Sequence, residues 1–514
     1  MKILSQKKEM KKLLFLCLAT ALISCSLPAE IELPAILGNN MIIQQDHPVK
    51  IWGQAEPEEQ ITVQLGREVA MATADENGFW EVTLKSREAS GQSLQMTISG
   101  TKSQNITLKN ILVGEVWICS GQSNMQWSML QTHSPVPEIQ RADYPRIRLF
   151  YVPRKISTLP QNDVDAEWEI CSPETIGSFS AVAYYFGRKI HSELDVPVGL
   201  INSNWGGTRI EPWTPDSGFK RETLGGVYKN SLREAIPKLE EWIRKAAQAL
   251  ENDTYIHPQP PLPIHPHQNN RTPTVLYNAM IHPLIRFPIR GAIWYQGEAN
   301  RNDGLEYTVK MEALIKGWRS AWQAGDFPFY YVQLAPFNYG YTLINDESDI
   351  LDFYRLPLIW EAQQNALKIP NTGMAVVTDI TNLNDIHPRN KKDVGYRLAL
   401  WALAKTYGKT NIVFSGPLYK SMSIEDNKIR IFFDYTGSGL KSLNNLPLSW
   451  FEIAGENRVF LKATADIDGQ TVLVWNKRID KPVAVRFGWH QLATPNLGNK
   501  EGLPASPFRT NRWE

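Results

Sequence analysis

The chain has 514 residues, which is too long for one ordinary core, so two or three domains are expected. Its 54 basic and 53 acidic residues leave a net charge of +1, and 43% of all residues are hydrophobic. This balance argues against a nucleic-acid groove or a polybasic membrane-binding surface and is typical of a soluble globular protein.

The first predicted element is a signal peptide over residues 1–25. A basic stretch from Met1 to Lys12 precedes an apolar run, Leu13 to Ile23, that is too short to span a bilayer comfortably. The run ends in Leu22-Ile23-Ser24-Cys25, which resembles a bacterial lipoprotein box. The resemblance implies lipidation at Cys25 and an exported protein, either periplasmic or tethered to the outer membrane. Cleavage near Ser24 or Ala29 without lipidation is the alternative.

Short alternating strands predict a β domain on each side of the chain's centre. Between residues 30 and 108, short strands are separated by turn signals such as Glu76-Asn77-Gly78, which predicts an N-terminal β sandwich. The same type of pattern returns in Lys428 to Phe433 and Gln470 to Val474. It predicts a C-terminal β domain over residues 412–514.

The segment 109–411 has a different pattern, because near-continuous apolar runs alternate with amphipathic stretches. The apolar runs are 111–119, 198–202, 291–295, 329–334 and 374–378, and the helical stretches between them are Val182 to Leu194, Tyr307 to Trp322 and Val394 to Tyr407. This alternation predicts an α/β domain with a parallel sheet covered on both faces. An insertion at about 210–275 holds a predicted helix, Leu232 to Leu250, and a proline-rich loop, Pro258 to Pro266, expected to lie over the site.

A candidate nucleophile follows the first apolar run. The run ends in Ser120-Gly121-Gln122-Ser123-Asn124-Met125, and a serine at a strand-to-loop junction would expose its hydroxyl at the carboxyl edge of the sheet. The segment differs from the α/β-hydrolase elbow, since Met125 stands where that motif has glycine. A serine in such a loop is more commonly a turn former. The prediction that Ser123 is a nucleophile therefore depends on a nearby residue that can act as its base.

His387 is the candidate base among the nine histidines. It follows the last apolar run and therefore lies at the edge of the sheet where the first run also ends. Two nearby acids, Asp385 and Asp379, could orient its imidazole ring. A histidine beside a proline is usually structural, so the topology and the acidic neighbours together make this prediction.

Candidate oxyanion donors follow two further runs. Gly206 and Gly207 permit close approach of the backbone and can donate N–H groups, although a plain tight turn explains them equally well. Gln296 follows the third run, and its amide is a second candidate donor. Polar clusters thus follow four predicted parallel strands in the order Ser, Gly, Gln, His.

These clusters resemble the sialate O-acetylesterase family of the SGNH hydrolases. The resemblance is carried by Gly114 to Met125, Gly206-Gly207-Thr208, Trp294 to Asn300 and Ile386-His387-Pro388, and by the segments Leu276 to Ile281 and Glu501 to Arg509. It runs from about Leu33 to Arg509. It implies a three-layer α/β/α sandwich flanked by β domains, a Ser–His catalytic pair, no metal or other cofactor, and hydrolysis of acetyl esters.

The sequence departs from the family at the triad acid. SGNH enzymes generally place an aspartate three residues before the histidine, where this chain has Asn384. Asp385 is the first candidate, Asp379 is the second, and a backbone carbonyl that holds the ring without an acid is the third.

The substrate is expected to be an O-acetylated sugar, with no nucleic-acid partner. A sialate carboxylate would need a cation, for which Arg209 or Arg301 is available, and Glu298 and Asn300 are further candidate substrate-binding residues. Acetylated xylan or xyloglucan is the alternative substrate class. A non-catalytic glycan-binding protein is the alternative of another class, and a glycosidase with paired carboxylates is a further rival.

Cys119 and Cys171 follow the signal segment. An exported chain permits a disulfide between them, whereas a free buried thiol is the commoner state for a cysteine that ends an apolar run. No spacing of cysteine and histidine resembles a zinc site.

Overall fold

A computed structural model describes residues 30–219, 224–260, 269–340 and 348–513. The predicted signal peptide with Cys25, and most of the proline-rich loop, lie outside these ranges. Helices long and apolar enough to cross a membrane are absent from the described residues. The described residues divide into two compact units, of which the smaller contains residues 30–33, Lys50–Leu84 and Gln95–Leu108. The larger contains the rest.

The smaller unit is built from antiparallel strands. Gln60–Leu65 pairs with Glu68–Thr73 on one side and with the end of Ser90–Gly100 on the other, while Val49–Gln54 pairs with Phe79–Leu84. Along Gln60–Leu65, the isoleucine, valine and leucine are fully buried, and they alternate with two exposed glutamines and a half-buried threonine. This is the alternation that a half-buried strand requires, so the sequence pattern forms the expected β structure.

Two segments of the predicted N-terminal domain, which covered residues 30–108, lie in the larger unit. These segments are residues 34–49 and 85–94. In the first of these segments, strand Ile42–Gln44 pairs in parallel with Leu112–Gly114, which is part of the larger unit. The C-terminal β region also belongs to the larger unit, because Gln333 donates a hydrogen bond to Ser506 (2.9 Å) and Arg509 pairs with Glu361 (2.9 Å).

The larger unit contains a central sheet whose strands we number β1 to β7 in chain order. They are β1 (Ile106–Gly121), β2 (Tyr144–Tyr151), β3 (Trp168–Cys171), β4 (Val198–Asn204), β5 (Gly291–Tyr295), β6 (Phe329–Val332) and β7 (Thr372–Ala375). Their order across the sheet is β7-β6-β5-β1-β4-β2-β3, and every neighbouring pair is parallel except β2 with β3. The mostly parallel sheet is confirmed, with β1 between β4 and β5.

Helices cover the sheet on both faces. The α-helices are Ser123–Gln126, Pro135–Gln140, Ala181–Leu194, Leu224–Glu251, Glu306–Trp322, Ser348–Asn365 and Lys391–Trp401, and the π-helical segments are Tyr277–Ile281 and Ala402–Thr406. Single 3-10 turns are Met129–Gln131, Ile176–Ser178, Glu211–Trp213, Asp216–Gly218, His282–Leu284, Glu298–Asp303 and Ala366–Lys368. Three predicted helices begin within one to three residues of these bounds, whereas Ser348–Asn365 was not predicted.

Aromatic contacts show the three layers. On one face, Phe186 of helix Ala181–Leu194 packs on Trp117 of β1, with ring centroids 5.0 Å apart. On the other face, Trp318 of helix Glu306–Trp322 packs on Trp294 of β5, with centroids 6.0 Å apart. The α/β/α sandwich expected from the sequence is therefore confirmed.

The C-terminal region is all β. One antiparallel sheet contains Leu418–Glu425, Lys428–Asp434, Thr471–Trp475 and Thr464–Asp468, and a second contains Phe460–Lys462, Phe451–Gly455, Pro482–Phe487 and Phe508–Arg509. Leu440–Ser442 pairs with Leu497–Asn499. Both sheets contribute to one apolar core, for example through Ile431 and Val472 of the first and Ile453 and Phe487 of the second. This arrangement matches the flanking β structure that was expected.

Candidate active site

Ser123 begins a one-turn helix at the carboxyl end of β1. The turn into this helix depends on Gly121, whose φ of +141° favours glycine. A Cβ at Gly121 would also lie 2.2 Å from the carbonyl oxygen of Tyr295, so the neighbouring strand β5 leaves no room for a side chain. The close approach of β1 and β5 thus fixes the position from which Ser123 leaves the sheet.

The loop after β7 brings His387 to this helix. Trp127, four residues after Ser123, stacks on the His387 ring with centroids 4.8 Å apart and an interplanar angle of 18°. The side-chain amide of Asn124 donates a hydrogen bond to the backbone carbonyl of Ile386 at 3.0 Å. The residue after Ser123 therefore contacts the residue before His387, and both segments lie on one rim of the sheet.

The two candidate acids have different partners. Asp385 Oδ1 accepts the backbone N–H of His387 at 2.9 Å and lies 3.8 Å from the ring atom Nδ1. The second distance is too long for a hydrogen bond but suits an ion pair. Asp379 is held by both terminal nitrogens of Arg397 at 2.6 Å. Both oxygens of Asp379 thus bind Arg397, whereas Asp385 contacts His387, so the contacts favour Asp385 of the two candidates.

The surroundings of His387 favour its neutral form. Burial lowers the pKa of its imidazole, the charge of Lys391 lowers it further, and the charge of Asp385 opposes both effects. The side chain remains 26% exposed to solvent, so it can still be reached from outside. A neutral, accessible imidazole is the form that a general base needs.

Of the two candidate oxyanion glycines, Gly206 is the one in contact with Ser123. A Cβ placed on Gly206 would lie 3.3 Å from the Cβ of Ser123, whereas one on Gly207 would meet nothing within 4 Å. The N–H of Gly206 donates to Oε1 of Gln126 at 2.6 Å. That donor is therefore capped by a side chain that would have to move before the N–H could bind an oxyanion.

The side-chain amide of Gln296 forms hydrogen bonds within the protein. Its buried Nε2 donates to Gln122 Oε1 at 3.0 Å, to the Thr208 carbonyl at 3.1 Å and to Asn300 Oδ1 at 2.8 Å. An amide nitrogen carries two hydrogens, so all of its donor capacity is used within the protein. In this arrangement Gln296 ties the loop after β4 to the loop after β5, and its role as an oxyanion donor stays a prediction.

Two of the predicted substrate-binding residues, Arg209 and Asn300, belong to a network of ionised and amide side chains. We call this group the ion network; its members are Arg209, Glu211, Asn300, Asp303 and Lys310. Arg209 donates to Asp303 at 2.8 and 3.0 Å and to Glu211 at 3.0 Å, and Lys310 binds the same two carboxylates at 2.8 and 2.9 Å. These contacts hold the pKa of Glu211 down, to about 2, although its burial acts in the opposite direction.

The remaining contacts of Asn300 close the network. Its Nδ2 donates to Glu211 at 3.0 Å and to Asp303 at 2.7 Å, and its Oδ1 accepts the backbone N–H of Ile210 at 2.9 Å. Asn300 is fully buried. Arg209 and Asn300 are therefore engaged mainly by protein partners, although the Arg209 side chain remains 33% exposed, and substrate binding by either residue stays a prediction. Arg301, the other candidate cation, lies over the ring of Tyr339 at 4.3 Å.

Glu298 lies beneath the nucleophile helix. Its Oε1 accepts a hydrogen bond from Asn124 at 2.5 Å, and its Oε2 is buried. Burial raises the pKa of this carboxyl group. Glu298 thus contacts Asn124, the residue next to Ser123. The sequence had suggested it as a substrate-binding residue.

Sequence reasoning missed Asn124, Trp127 and Lys391. Asn124 stood inside the block that pointed to Ser123, so a closer reading of that block could have found it. Lys391 is the first residue of helix Lys391–Trp401 and is fully buried, and it donates to Asn124 Oδ1 at 2.5 Å. A lysine in the first turn of a helix is ordinarily solvated, so its burial had no signal in the sequence.

Comparison with known proteins assigns the family. The model of the carbohydrate esterases described as sialic acid-specific acetylesterases matches residues 113–250 and 265–402. The sialate O-acetylesterase of Rattus norvegicus is 32% identical over 447 residues, covering 80% of each chain. The chain belongs to this esterase family. Membership makes it a carboxylic-ester hydrolase, and the family that the sequence blocks resemble is confirmed.

Two further relatives extend the comparison. The sialate O-acetylesterase of Homo sapiens is 31% identical over 425 residues, covering 76% of this esterase and 74% of the human chain. A crystal structure of a carbohydrate acetylesterase from Xanthomonas citri is 35% identical, with a TM-score of 0.80 over 94% of this esterase and 100% of that chain. The similarity to the solved structure therefore extends beyond the central sheet to nearly the whole chain.

Proposed function

We propose that this esterase removes acetyl groups from O-acetylated sugars, with Ser123 as the nucleophile and His387 as the general base. The observation that carries the proposal is the pair of contacts across the rim of the sheet. Trp127 stacks on His387, and Asn124 binds the carbonyl of Ile386. These contacts join the one-turn helix of Ser123 to the loop of His387, although the two lie far apart in the chain.

The reaction proceeds by two acyl transfers. Ser123 Oγ attacks the acetyl carbonyl carbon while the His387 imidazole takes the hydroxyl proton, and the carbonyl oxygen becomes an oxyanion. The tetrahedral intermediate then collapses, the bond to the sugar oxygen breaks, and His387 returns the proton to that oxygen. Water attacks the acetyl-serine in the same way, which releases acetate and restores Ser123.

The protein supplies charge stabilisation from its backbone. Gly206 lies against Ser123, and its N–H becomes an oxyanion donor once the side chain of Gln126 turns away. Asp385 lies on the Nδ1 side of the imidazole and favours the charged ring that forms in each transition state. A single donor of the oxyanion type typically stabilises the transition state by about 3–4 kcal/mol.

Substitution of the nucleophile tests the mechanism. Ser123→Ala should lower the kcat for an aryl acetate by at least about 10⁴-fold and leave the circular dichroism spectrum and melting temperature unchanged. Ser128→Ala, five residues away in the same segment, is the matched control and should retain full activity. Undiminished turnover by Ser123→Ala would remove the proposal.

We propose O-acetylated sialic acids as the substrates, in keeping with the family. A sialate carboxylate needs a cation near the site, and the guanidinium of Arg209 is held by Asp303 and Glu211. Arg154 is exposed and lies over the half-buried ring of Trp205 at 5.9 Å from its centroid. Trp205 adjoins Gly206, so an acidic sugar could stack on this indole and pair with Arg154 while its acetyl group meets Ser123.

Acetylated plant polysaccharides remain the second candidate. The observation that favours them is that both arginines named by the sequence already have protein partners, since Arg209 pairs with Asp303 and Glu211 and Arg301 lies over Tyr339. Acetate release from O-acetylated sialic acid should be compared with release from acetylated xylan and xyloglucan. For a sialate esterase, Arg154→Gln should lower kcat/KM on the sialic acid about tenfold and leave that on an aryl acetate unchanged.

We further propose that the protein is exported and anchored by a lipid at Cys25. The motif that ends at this residue supports the proposal, together with the basic and apolar stretches before it. Labelled palmitate should be incorporated into the expressed protein and lost in Cys25→Ala. Equal labelling of both forms would contradict the anchor.

A further inference from the structure

A buried lysine and a half-buried glutamate converge on one asparagine between the two catalytic segments. Asn124 is 1% exposed and Lys391 is 0% exposed. The Asn124 amide nitrogen donates to Glu298 Oε1 at 2.5 Å and to the Ile386 carbonyl at 3.0 Å, and its oxygen accepts from Lys391 Nζ at 2.5 Å. Each polar atom of the Asn124 side chain is thereby used.

The partners of Asn124 determine which way its amide points. The amine of Lys391 faces the oxygen, and the Glu298 carboxylate and the Ile386 carbonyl face the nitrogen. If the amide were flipped, its nitrogen would face another donor and its oxygen would face two other acceptors. The amide thus holds Ile386, and with it the loop of His387, at a fixed distance from the helix of Ser123. A hydrocarbon side chain would fill the same space without specifying this alignment.

Lys391 also lies against the aromatic rings beside the site. Its Nζ is 5.5 Å from the ring centroid of Trp127 and 5.5 Å from that of Tyr295. Trp127 is the residue that stacks on His387. Lys391 is therefore also connected to His387 through Trp127, whose indole stacks on the imidazole.

We propose that Lys391, Asn124 and Glu298 are positioning residues that align Ser123 with His387. The inference rests on the proposed catalytic pair. Burying two ionisable groups costs stability, and a packed apolar cluster would stabilise the fold at least as well. Their placement next to both catalytic segments assigns them to the alignment of the reacting groups.

Electrostatics support the geometry. Burial lowers the pKa of Lys391 to about 7, although the charges of Glu298 and Asp385 act to raise it. Burial is also the main cause of the lowered pKa of His387, and Lys391 adds to it while Asp385 opposes it. Removing the lysine should therefore raise the pKa of His387, because a neighbouring positive charge that disfavours imidazolium is lost.

The experiment compares Lys391→Met with Asn124→Ala and with the double variant, using an aryl acetate over pH 4.5–9. We expect each single variant to lower kcat about 10²-fold at pH 8 with KM changed less than threefold, as for a small misplacement of reacting groups. The acidic limb of kcat/KM should move to higher pH in Lys391→Met. The double variant should be no slower than about the slower single variant, because one alignment is lost in both.

Glu298→Gln and Glu298→Leu extend the test to the third residue. The glutamine can still accept the Asn124 hydrogen bond and should keep kcat within about threefold, whereas leucine should lower it as Asn124→Ala does. A purely structural role would lower the melting temperature and leave the acidic limb and kcat of the surviving enzyme unchanged. That result, or losses that simply multiply in the double variant, would overturn the proposal.

The two proposals fail in different ways. If Ser123→Ala retains activity, the catalytic pair itself is wrong. If Ser123→Ala is inactive but Lys391→Met and Asn124→Ala both turn over at the wild-type rate, the catalytic pair stands and only the positioning role is refuted. Should Lys391→Met not fold, the acidic limb of Asn124→Ala and the rate of Glu298→Leu decide.

Discussion

Polar side chains collect at the carboxyl ends of the sheet in two places with different character. At the ends of β1 and β7, Ser123 and His387 lie on one rim, and the His387 side chain keeps 26% of its surface open to solvent. At the ends of β4 and β5, the ion network takes up most of the hydrogen-bonding capacity of Arg209 and Asn300, although the Arg209 side chain is 33% exposed. Position at a strand end therefore does not by itself identify a functional residue; the protein partners that each side chain already binds must be considered too.

The largest difference between the two places should come from the base. His387→Ala should lower kcat for an aryl acetate by about 10³–10⁴-fold, since no group would take the proton of Ser123. The fold should be retained, because the ring packs mainly on Trp127 at the rim. Activity assays and circular dichroism measure the two effects.

His191→Ala is the control for this substitution. Its ring bonds the carbonyl of Val196 at 2.7 Å on a helix remote from β7 in the chain, so its loss should leave kcat unchanged. Equal losses in the two variants would mean that His387 acts only through stability.

The two aspartates offer a sharper test within one loop. Asp385→Asn should lower kcat about 10–10²-fold and leave the melting temperature nearly unchanged, because an amide oxygen can still accept the His387 N–H while the charge beside Nδ1 is lost. Asp379→Asn should do the reverse, since it weakens a two-bonded pair with Arg397 that is remote from the chemistry. If Asp379→Asn proves the slower enzyme, the acid must be reassigned.

Breaking the ion network should affect stability rather than turnover. Arg209→Met leaves the Glu211 and Asp303 carboxylates with one cation, Lys310, and should cost about 1–3 kcal/mol of stability. We expect kcat/KM for an aryl acetate within about threefold of wild type. Thermal unfolding with Arg141→Met, at an exposed position, as the control measures the loss, and a selective rise in KM would support Arg209 as a substrate ligand.

The sequence predicted those parts of the fold that depend on local pattern. Strands β1, β4 and β5 were found because their residues are buried on both faces and form apolar runs. Strand β2 was missed because Arg146 and Arg148 interrupt its apolar residues. Arg148 is nevertheless 3% exposed and donates to the Pro145 carbonyl at 3.0 Å, a partner that no hydrophobic pattern reveals.

The candidate site could be predicted only in outline. Ser123, Gly206 and His387 were predicted because each follows a predicted strand and parallel strands end at one edge. The hydrogen-bond partners of the site residues lie far away in the chain: Asn124 and Lys391 are 267 positions apart, and Arg209 and Asp303 are 94 apart. Composition and spacing contain no information about such pairings, so the sequence did not reveal the protein partners that Arg209, Gln296 and Glu298 have.

The pH dependence of the wild-type enzyme is the smallest effect that we expect. It tests how burial and the buried Lys391 affect His387 at the rim of the sheet. Burial and the charge of Lys391 outweigh Asp385 and lower the pKa of His387 below its ordinary value of about 6.5. The imidazole is active when neutral, so kcat/KM should rise with pH to a midpoint below 6.5 and change only about twofold between pH 6.5 and 8. In Asp385→Asn the midpoint should fall further, because the one charge that favours imidazolium is removed. A wild-type midpoint above 6.5 would mean that Asp385, and not Lys391 with burial, controls the base.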